Sequence, residues 1–401
     1  MTITDKSKSP FFPGQPVPAE MFIGREAEIG RITRALSQVA AGKPQAIFVT
    51  GEYGIGKSSL AGFVRFLAEK EYSLLGAHVF LGGASSLEEV ASKTVEAFLK
   101  AGAYNPTWTE SVRNALAKYV GKQSLFGFEI HLEQLRKDGP ALSRGYLPLL
   151  NELFLRSREQ GSKGILVILD EINGITSNPH WSHFVKALVD ENALARPPLP
   201  LLLMLCGVGE RLKEMIQHHQ PVERIFDIVE IQAMTASEMR DFFVRGFAFE
   251  SMTVDDEALS VFSRYGAGYP KIMHILGDAA YWIDKDGRVD FDDAFNAVLA
   301  AAEDVGRKFV DQQVLTALRS KDYRSILAKL ASEKFDLDFR KGDVAEGLSE
   351  SERRKLNNFL QKMKKLQVLR AGDEFGHYIF NSHLVRLYVR LKAAEISREN
   401  R

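Results

Sequence analysis

The segment Gly51-Glu-Tyr-Gly-Ile-Gly-Lys-Ser58 stands between an apolar run, 45–50, and a helical pattern, 58–70. It matches G-x-x-x-x-G-K-[ST] in full, and a strand before it with a helix after it is the context that this motif requires. Glycines at 51, 54 and 56 let the backbone turn tightly enough for successive N–H groups to surround a β-phosphate at the positive end of the helix. A chance glycine turn is the alternative. The motif predicts a nucleotide-binding loop and restricts the chain to folds that contain strand, loop and helix in succession.

The side chains of this loop have separate expected roles. Lys57 would neutralise the β and γ oxygens of a bound nucleotide, and the Ser58 hydroxyl would ligate a Mg²⁺ ion that bridges the same oxygens. The predicted contacts to ATP or ADP within the loop are Gly51, Gly54, Ile55, Gly56, Lys57, Ser58 and Ser59.

Strands and helices alternate around this loop, which is typical of an α/β sheet. Further apolar strands are expected at 76–81, 164–169, 199–206 and 227–231, so we predict a parallel sheet of about five strands. The region 87–160 is mostly helical, with a break at 102–106 and a candidate β pair at 124–131. From 235 to about 293 the pattern is helical throughout and predicts a small helical lid.

Asp170 and Glu171 follow the apolar strand Ile165-Leu-Val-Ile-Leu169. We expect the two carboxylates at the carboxyl end of that strand, beside the phosphate-binding loop of a neighbouring strand. Asp170 would hold the metal directly or through water, and Glu171 would act as general base toward an attacking water. The alternative is a buried strand that happens to end in surface acids.

The strand at 199–206 ends in Cys206-Gly-Val-Gly209, with no Asn, Ser or Thr to sense a γ-phosphate, so a glycine turn is the preferred interpretation there. Arg224 lies just before the strand at 227–231 and is the candidate arginine finger toward a neighbouring subunit. A surface arginine in a helix-to-strand link is the equal alternative.

Composition excludes several classes of protein. The 401 residues carry 52 Lys plus Arg and 52 Asp plus Glu, and 45% are hydrophobic, as in ordinary globular domains. The single cysteine, Cys206, cannot form an internal disulfide or a cysteine cluster for zinc, which fits a reducing cytosol. The longest apolar runs are too short for a bilayer span, and the polar residues 1–10 lack the apolar core of a secretory signal. We expect those residues to form a loose arm.

These motifs together resemble the AAA+ and STAND superfamily of P-loop ATPases, in the branch with replication-initiator (origin-recognition-like) proteins and archaeal-type STAND ATPases. Phe22-Ile-Gly-Arg-Glu26 looks like the F-x-G-R-E box that leads the chain past the adenine, so the resemblance assigns Phe22, Ile23, Gly24 and Arg25 to the nucleotide. Gly268-Tyr-Pro270 resembles the G-x-P of STAND lids, with Lys271 where initiator-type ATPases carry a sensor arginine. The resemblance implies hydrolysis of ATP to ADP and phosphate. The missing polar sensor departs from the AAA+ pattern and predicts slow turnover.

The last 81 residues, 321–401, hold 18 Lys plus Arg and 12 Asp plus Glu, so a +6 tail balances a −6 body. Predicted helices at 323–331, 341–347 and 351–366, followed by alternating strands at 368–370 and 377–380, describe an α+β winged helix. Its third helix would have one apolar face and one cationic face, as a recognition helix does. The predicted DNA contacts are Arg353, Arg354, Lys355, Lys362 and Lys365.

We therefore predict a P-loop NTPase core (21–234) after an N-terminal arm (1–20), then a helical lid (235–300), a helical linker (301–321) and the winged helix (322–401). The expected function is a cytosolic Mg·ATP-dependent switch that engages DNA, with nucleotide-dependent homo-oligomers as a candidate assembly and no membrane association. Two alternatives remain open: a STAND-type signalling or defence ATPase whose winged helix contacts protein partners, and a transposition-type regulator that loads a partner onto DNA.

Overall fold

A computed structural model describes residues 6–102, 139–331, 338–372 and 374–399. The chain divides into two compact units. The first, here the sheet unit, comprises Gln15–Ala233, and the second, here the helical unit, comprises Met1–Gly14 together with Met234–Arg401.

The sheet unit is built on five parallel strands: β1 (Gln45–Gly51), β2 (Leu74–Phe80), β3 (Gly164–Asp170), β4 (Leu201–Gly207) and β5 (Asp227–Ile231). Their order across the sheet is β2-β3-β4-β1-β5, which confirms the predicted parallel sheet. The register pairs Val49 with Cys206 and Leu169 with Leu205. One expectation is wrong: β3 does not neighbour the loop-bearing strand β1, because β4 lies between them.

Helices cover both faces of this sheet, and its central strands are buried along their whole length, as parallel strands require. The helices are α1 (Glu26–Ala40), α2 (Lys57–Lys70), α3 (Leu87–Gly102), α4 (Gly139–Arg158), α5 (Pro179–Leu194) and α6 (Gly209–His218), with 3₁₀ turns at Ala19–Met21 and Gln220–Arg224. The side-chain oxygen of Asn178 accepts a hydrogen bond from the His180 N–H, and Pro179 occupies the first turn, so the sequence itself starts α5. The candidate β pair at 124–131 lies outside the described residues.

The first part of the helical unit contains α7 (Ala236–Ala248), α8 (Asp256–Gly266), α9 (Pro270–Ile283) and α10 (Phe291–Val305). Two short strands, β6 (Thr253–Val254) and β7 (Arg288–Val289), pair in parallel, so this region is not helical throughout as predicted. Capping boxes at Thr235 and Asp290 start α7 and α10.

Residues 6–14 contact these helices, so the expectation of a loose arm at residues 1–10 is wrong for residues 6–10. Phe11 is 4% exposed, and its ring packs edge-on against Phe247 at a centroid distance of 4.9 Å. The Lys6 ammonium forms a 2.9 Å ion pair with the buried Asp284 carboxylate. Two adjacent phenylalanines in a proline-rich stretch were the sequence feature that could have indicated this packing, because large apolar side chains are usually buried.

The last part of the helical unit begins with a π-helix, Gly306–Leu315, directly after α10. It continues with α11 (Lys321–Leu330), β8 (Asp338–Arg340), α12 (Lys341–Glu346), α13 (Glu350–Lys365), β9 (Leu369–Ala371), β10 (His377–Phe380) and α14 (His383–Glu399). The predicted helices and hairpin are present, and β8 is an additional strand that makes a three-stranded antiparallel sheet in the order β8-β10-β9. No described helix is long and apolar enough to cross a membrane.

Candidate functional site

The loop between β1 and α2 has the backbone geometry of a phosphate cradle. Gly56 precedes α2 with φ 101°, and Gly54 has φ 80°, both in the region that side chains with a Cβ disfavour. At Gly51 an added Cβ would lie 2.9 Å from the Ile231 carbonyl oxygen, so a larger residue would push β1 away from β5. The loop ends at the N-terminus of a 14-residue helix, where unpaired N–H groups and the helix dipole favour an anion.

Lys57 lies within this loop. Its Nζ donates to the carbonyl oxygens of Gly51 at 2.9 Å and Glu52 at 2.8 Å, which holds the ammonium over the glycine turn. Burial lowers the pKa of Lys57, while the negative charges of Asp170, Glu171 and Glu52 oppose that shift. These charges act on the ammonium because all of the groups lie at the carboxyl edge of the sheet. The lysine and the two acids predicted from separate motifs are therefore brought together.

Asp170 is 1% exposed at the end of β3 and is hydrogen-bonded on both oxygens. Oδ1 accepts from the Glu171 backbone N–H at 2.8 Å, and Oδ2 lies 3.1 Å from Nε2 of His78 on β2. Glu171 is exposed and has φ 57°, so the chain turns sharply and its carboxylate reaches the surface near Gly82.

Sequence reasoning missed His78. The register pairs His78 with Ile168 and Phe80 with Asp170, so the imidazole is a diagonal neighbour of the carboxylate on one face of the sheet. Its ring is also stacked on Phe80, with centroids 4.3 Å apart. A lone histidine in a strand gives no signal until the strand order is known.

The Phe22–Glu26 box contacts the loop through Arg25. This arginine is 4% exposed and has φ 67°, and its guanidinium donates to the Ile55 carbonyl at 3.1 Å and to the Gln232 carbonyl. Arg25 therefore links the loop, through Ile55, to the residue that follows β5, Gln232. Nearby, Phe22 is stacked on Phe63 of α2 at 4.8 Å, while Ile23 and Gly24 are half-buried.

Two further predicted residues lie in the sheet unit. The Ser59 hydroxyl accepts a 3.2 Å hydrogen bond from the Val17 N–H. Arg224 is exposed at the end of the 3₁₀ turn Gln220–Arg224 and forms no ion pair with another described residue. Cys206 is buried at the end of β4, where burial and the Asp170 charge raise its pKa, so it is no nucleophile.

The predicted lid residues belong to the helical unit. Pro270 is the first residue of α9, with Tyr269 before it, and Lys271 is exposed in the same turn. The Gly268 carbonyl accepts a 2.9 Å hydrogen bond from the Met234 N–H, which fixes the turn that precedes α9.

The predicted DNA-contacting cations all lie on α13, and four of the five donate to acceptors within the unit. The pairs are Arg353 with the Ala345 and Glu346 carbonyls, Arg354 with Glu350, Lys355 with Asp322, and Lys362 with the Ala317 carbonyl. Lys365 is exposed and pairs with no other described residue. The opposite side of α13 packs into the core through Leu356, Phe359, Leu360 and Met363.

The residues at the loop fit a Mg²⁺ ion bound together with a nucleotide. Ser58 and Asp170 offer the oxygen ligands that this hard cation prefers. Among the described ranges, no group of three or more His, Cys, Asp or Glu side chains could hold a metal by itself. An ion at this position would therefore complete its shell with phosphate oxygens and water.

Residues 21–204 match the AAA ATPase domain family. No curated protein matches the sequence at a significant level. Among solved structures, the ORC2 protein of Aeropyrum pernix in ADPNP–ADP complexes is 16% identical, with a TM-score of 0.59 over 99% of this chain and 97% of that chain. A Walker-type ATPase of Pyrococcus abyssi is 17% identical, with a TM-score of 0.53 over 93% of this chain and 97% of that chain.

The family match, the sheet order and the loop assign residues 21–204 to the AAA ATPase domain family and support an ATP-binding ATPase. The two solved structures share the fold of this chain.

Proposed function

We propose that this chain is a Mg·ATP-dependent switch of the cytosol whose nucleotide state controls the engagement of DNA by its C-terminal domain. The observation that carries the proposal is the meeting of Lys57, Asp170 and Glu171 at one edge of the sheet, where the two carboxylates oppose the lowered pKa of the lysine. Cation, metal ligand and base are the parts that phosphoryl transfer to water requires.

Each group has a defined part in this reaction. Glu171 accepts a proton from the water that attacks the γ-phosphorus, ADP departs, and Lys57 offsets the charge on the β and γ oxygens. Mg²⁺ held through Ser58 and Asp170 would add charge neutralisation at those oxygens. Arg224, which is exposed and forms no ion pair among the described residues, would serve a neighbouring copy in an oligomer. Turnover is slow because β4 ends in Cys206 and Gly207 and provides no polar sensor.

Support for the DNA partner comes from the C-terminal domain. The order helix, strand, helix, helix, strand, strand from α11 to β10 supports a winged helix, in which α13 would be the recognition helix. The +6 charge of residues 321–401 favours a polyanion. The exposed pair between Arg354 and Glu350 is worth at most about 1 kcal/mol, so a phosphate can replace the glutamate at little cost.

One observation favours a second candidate, a STAND-type switch that contacts protein partners. Four of the five predicted DNA-contacting cations on α13 already have acceptors within the domain, so fewer of these charges are left for phosphates than the sequence suggests.

Fluorescence anisotropy with a labelled random-sequence DNA duplex tests the proposal. The titrations are run at 50 mM and 200 mM salt with ATP, ADP or no nucleotide. We expect binding that weakens steeply with salt and differs at least fivefold between ATP and ADP. Equal affinity in all nucleotide states contradicts the switch, and no binding at low salt favours the protein-partner candidate.

A further inference from the structure

A groove of about 880 Å³ runs along one side of α13, between that helix and residues 312–323. Ligand pockets in proteins commonly have volumes in this range and are lined mainly by apolar side chains. This one is lined by polar side chains, including Gln312, Gln313, Arg319, Lys355, Asn358 and Lys362, and by three hydroxyl side chains. None of its ten lining residues is acidic. Its chemistry therefore suits a polar anion.

Several of these groups are available to a ligand. The amides of Gln312, Gln313 and Asn358 and the guanidinium of Arg319 make no hydrogen bond to another described side chain or carbonyl. Lys355 is paired with Asp322 at the rim at 2.6 Å, and this pair is exposed enough to exchange its carboxylate for another anion.

The walls of the groove are held in place by contacts outside it. The Tyr388 hydroxyl donates to Asp311 Oδ2 at 2.7 Å, and the Tyr388 ring packs so closely on Gly306 that an added Cβ would lie 2.1 Å from it. Lys362 donates to the Ala317 carbonyl at 2.6 Å and so fixes the segment that follows the π-helix against α13. A wall with such supports can present its donors without reorganisation.

We propose that this groove binds the phosphodiester backbone of the DNA duplex, as a second contact beside the outward face of α13. The inference rests on the proposed DNA-binding function. To Lys355 and Lys362, which the sequence already indicated as DNA contacts, it adds Arg319 and Asn358. Guanidinium and amide groups of this kind donate to phosphate oxygens, and such a contact is independent of base sequence.

The test uses the full chain and the same labelled random-sequence duplex. Arg319→Ala removes one cation, so we expect affinity at 50 mM salt to fall about fivefold and the slope of log K against log salt to decrease by about 0.9. Asn358→Asp places a negative charge in the groove and should weaken binding about tenfold. The matched controls are Arg245→Ala on α7 and Asn296→Asp on α10, which make the same changes at exposed positions that do not line the groove.

The outcomes separate the two proposals. If the wild-type chain binds no DNA at 50 mM salt, the proposed DNA function is wrong and the groove contact with it. If the wild type binds and Arg354→Ala weakens binding, but Arg319→Ala and Asn358→Asp behave as their controls, only the groove contact is overturned. Surface substitutions usually change stability little, so we expect the variants to melt within about 2 °C of wild type. Melting temperatures in that range show that the variants are folded.

Discussion

His78 Nε2 lies 3.1 Å from Oδ2 of Asp170, and the imidazole thereby fixes the carboxylate that ends β3. The other oxygen of Asp170 accepts from the Glu171 N–H, so both acids of the motif depend on the orientation of one buried side chain. Partners of this kind, one step removed from a metal, set the direction and basicity of its ligands.

We expect His78→Ala to raise the Mg²⁺ concentration that half-saturates ATP hydrolysis by about tenfold to a hundredfold. This is the usual loss of metal affinity when a residue that holds a metal ligand in place is removed. ATPase rates measured against Mg²⁺ concentration at saturating ATP give the half-saturating value directly. His180→Ala on the surface of α5 is the matched histidine control. An unchanged Mg²⁺ dependence in a folded His78→Ala variant would show that the contact only stabilises the sheet.

Replacing Lys57 removes the one cation inside the loop. Lys57→Ala should weaken ATP binding by about a hundredfold, since a charge-assisted contact of about 3 kcal/mol is lost. Equilibrium binding of a fluorescent ATP analogue measures the effect, with the exposed Lys43→Ala as control. An ATP affinity of the Lys57→Ala variant equal to that of the Lys43→Ala control would contradict the assignment of this loop as the nucleotide site.

Glu171 is expected to matter for turnover and not for binding. Glu171→Gln keeps the size of the side chain and removes the base, so we expect ATP affinity within about threefold of wild type and a rate reduced by 10²–10⁴, the usual contribution of a general base. Single-turnover hydrolysis with Glu159→Gln as control distinguishes chemistry from product release. Hydrolysis at the wild-type rate would remove Glu171 as the base.

Much of this site could be predicted because each motif is local. The loop at Gly51–Ser58 and the acids at Asp170 and Glu171 each follow a short apolar strand, and parallel strands bring such ends to one edge of a sheet. The order of strands is not local, and so the position of β4 between β1 and β3, and the contact of His78 with Asp170, required the structure.

The helical unit shows a second limit. Helical spacing predicted α11, α12 and α13, but β8 has only three residues and pairs with a strand 37 positions later, from Arg340 to His377. A strand of three residues is too short to show the alternation of apolar and polar residues by which strands are predicted. The burial of Phe11 was missed for the same reason, since its partners lie on α7 and α9, more than 200 residues away.

Phe11 should be a principal anchor of the helical unit. Gly277 and Gly246 leave room for its ring, because a Cβ at either position would lie 2.5 to 2.7 Å from it. Phe11→Ala is expected to cost about 3–5 kcal/mol of local unfolding free energy. Hydrogen exchange of the α7 and α9 amides measures this cost, with the less buried Phe12→Ala as comparison. Equal protection in the two variants would contradict the anchoring role.

His274 makes the stability of the helical unit depend on pH. Burial lowers its pKa to about 4, and Nδ1 accepts a 3.2 Å hydrogen bond from the Phe12 N–H, which requires an unprotonated nitrogen. Because the unfolded chain, with a histidine pKa near 6.5, binds more protons, stability is complete above about pH 6.5 and declines as pH falls toward 4. The loss from this residue is about 3 kcal/mol.

We therefore expect exchange protection in α9 to fall between pH 6.5 and 4 in the wild type, after correction for the intrinsic exchange rate. His274→Gln cannot take up the proton and should flatten that profile, even if its protection at pH 7 is lower. His180→Gln, at an exposed histidine, should leave the profile unchanged. A wild-type slope that persists in His274→Gln would assign the pH dependence to another group, with His383, whose burial also lowers its pKa to about 4, as the next residue to replace.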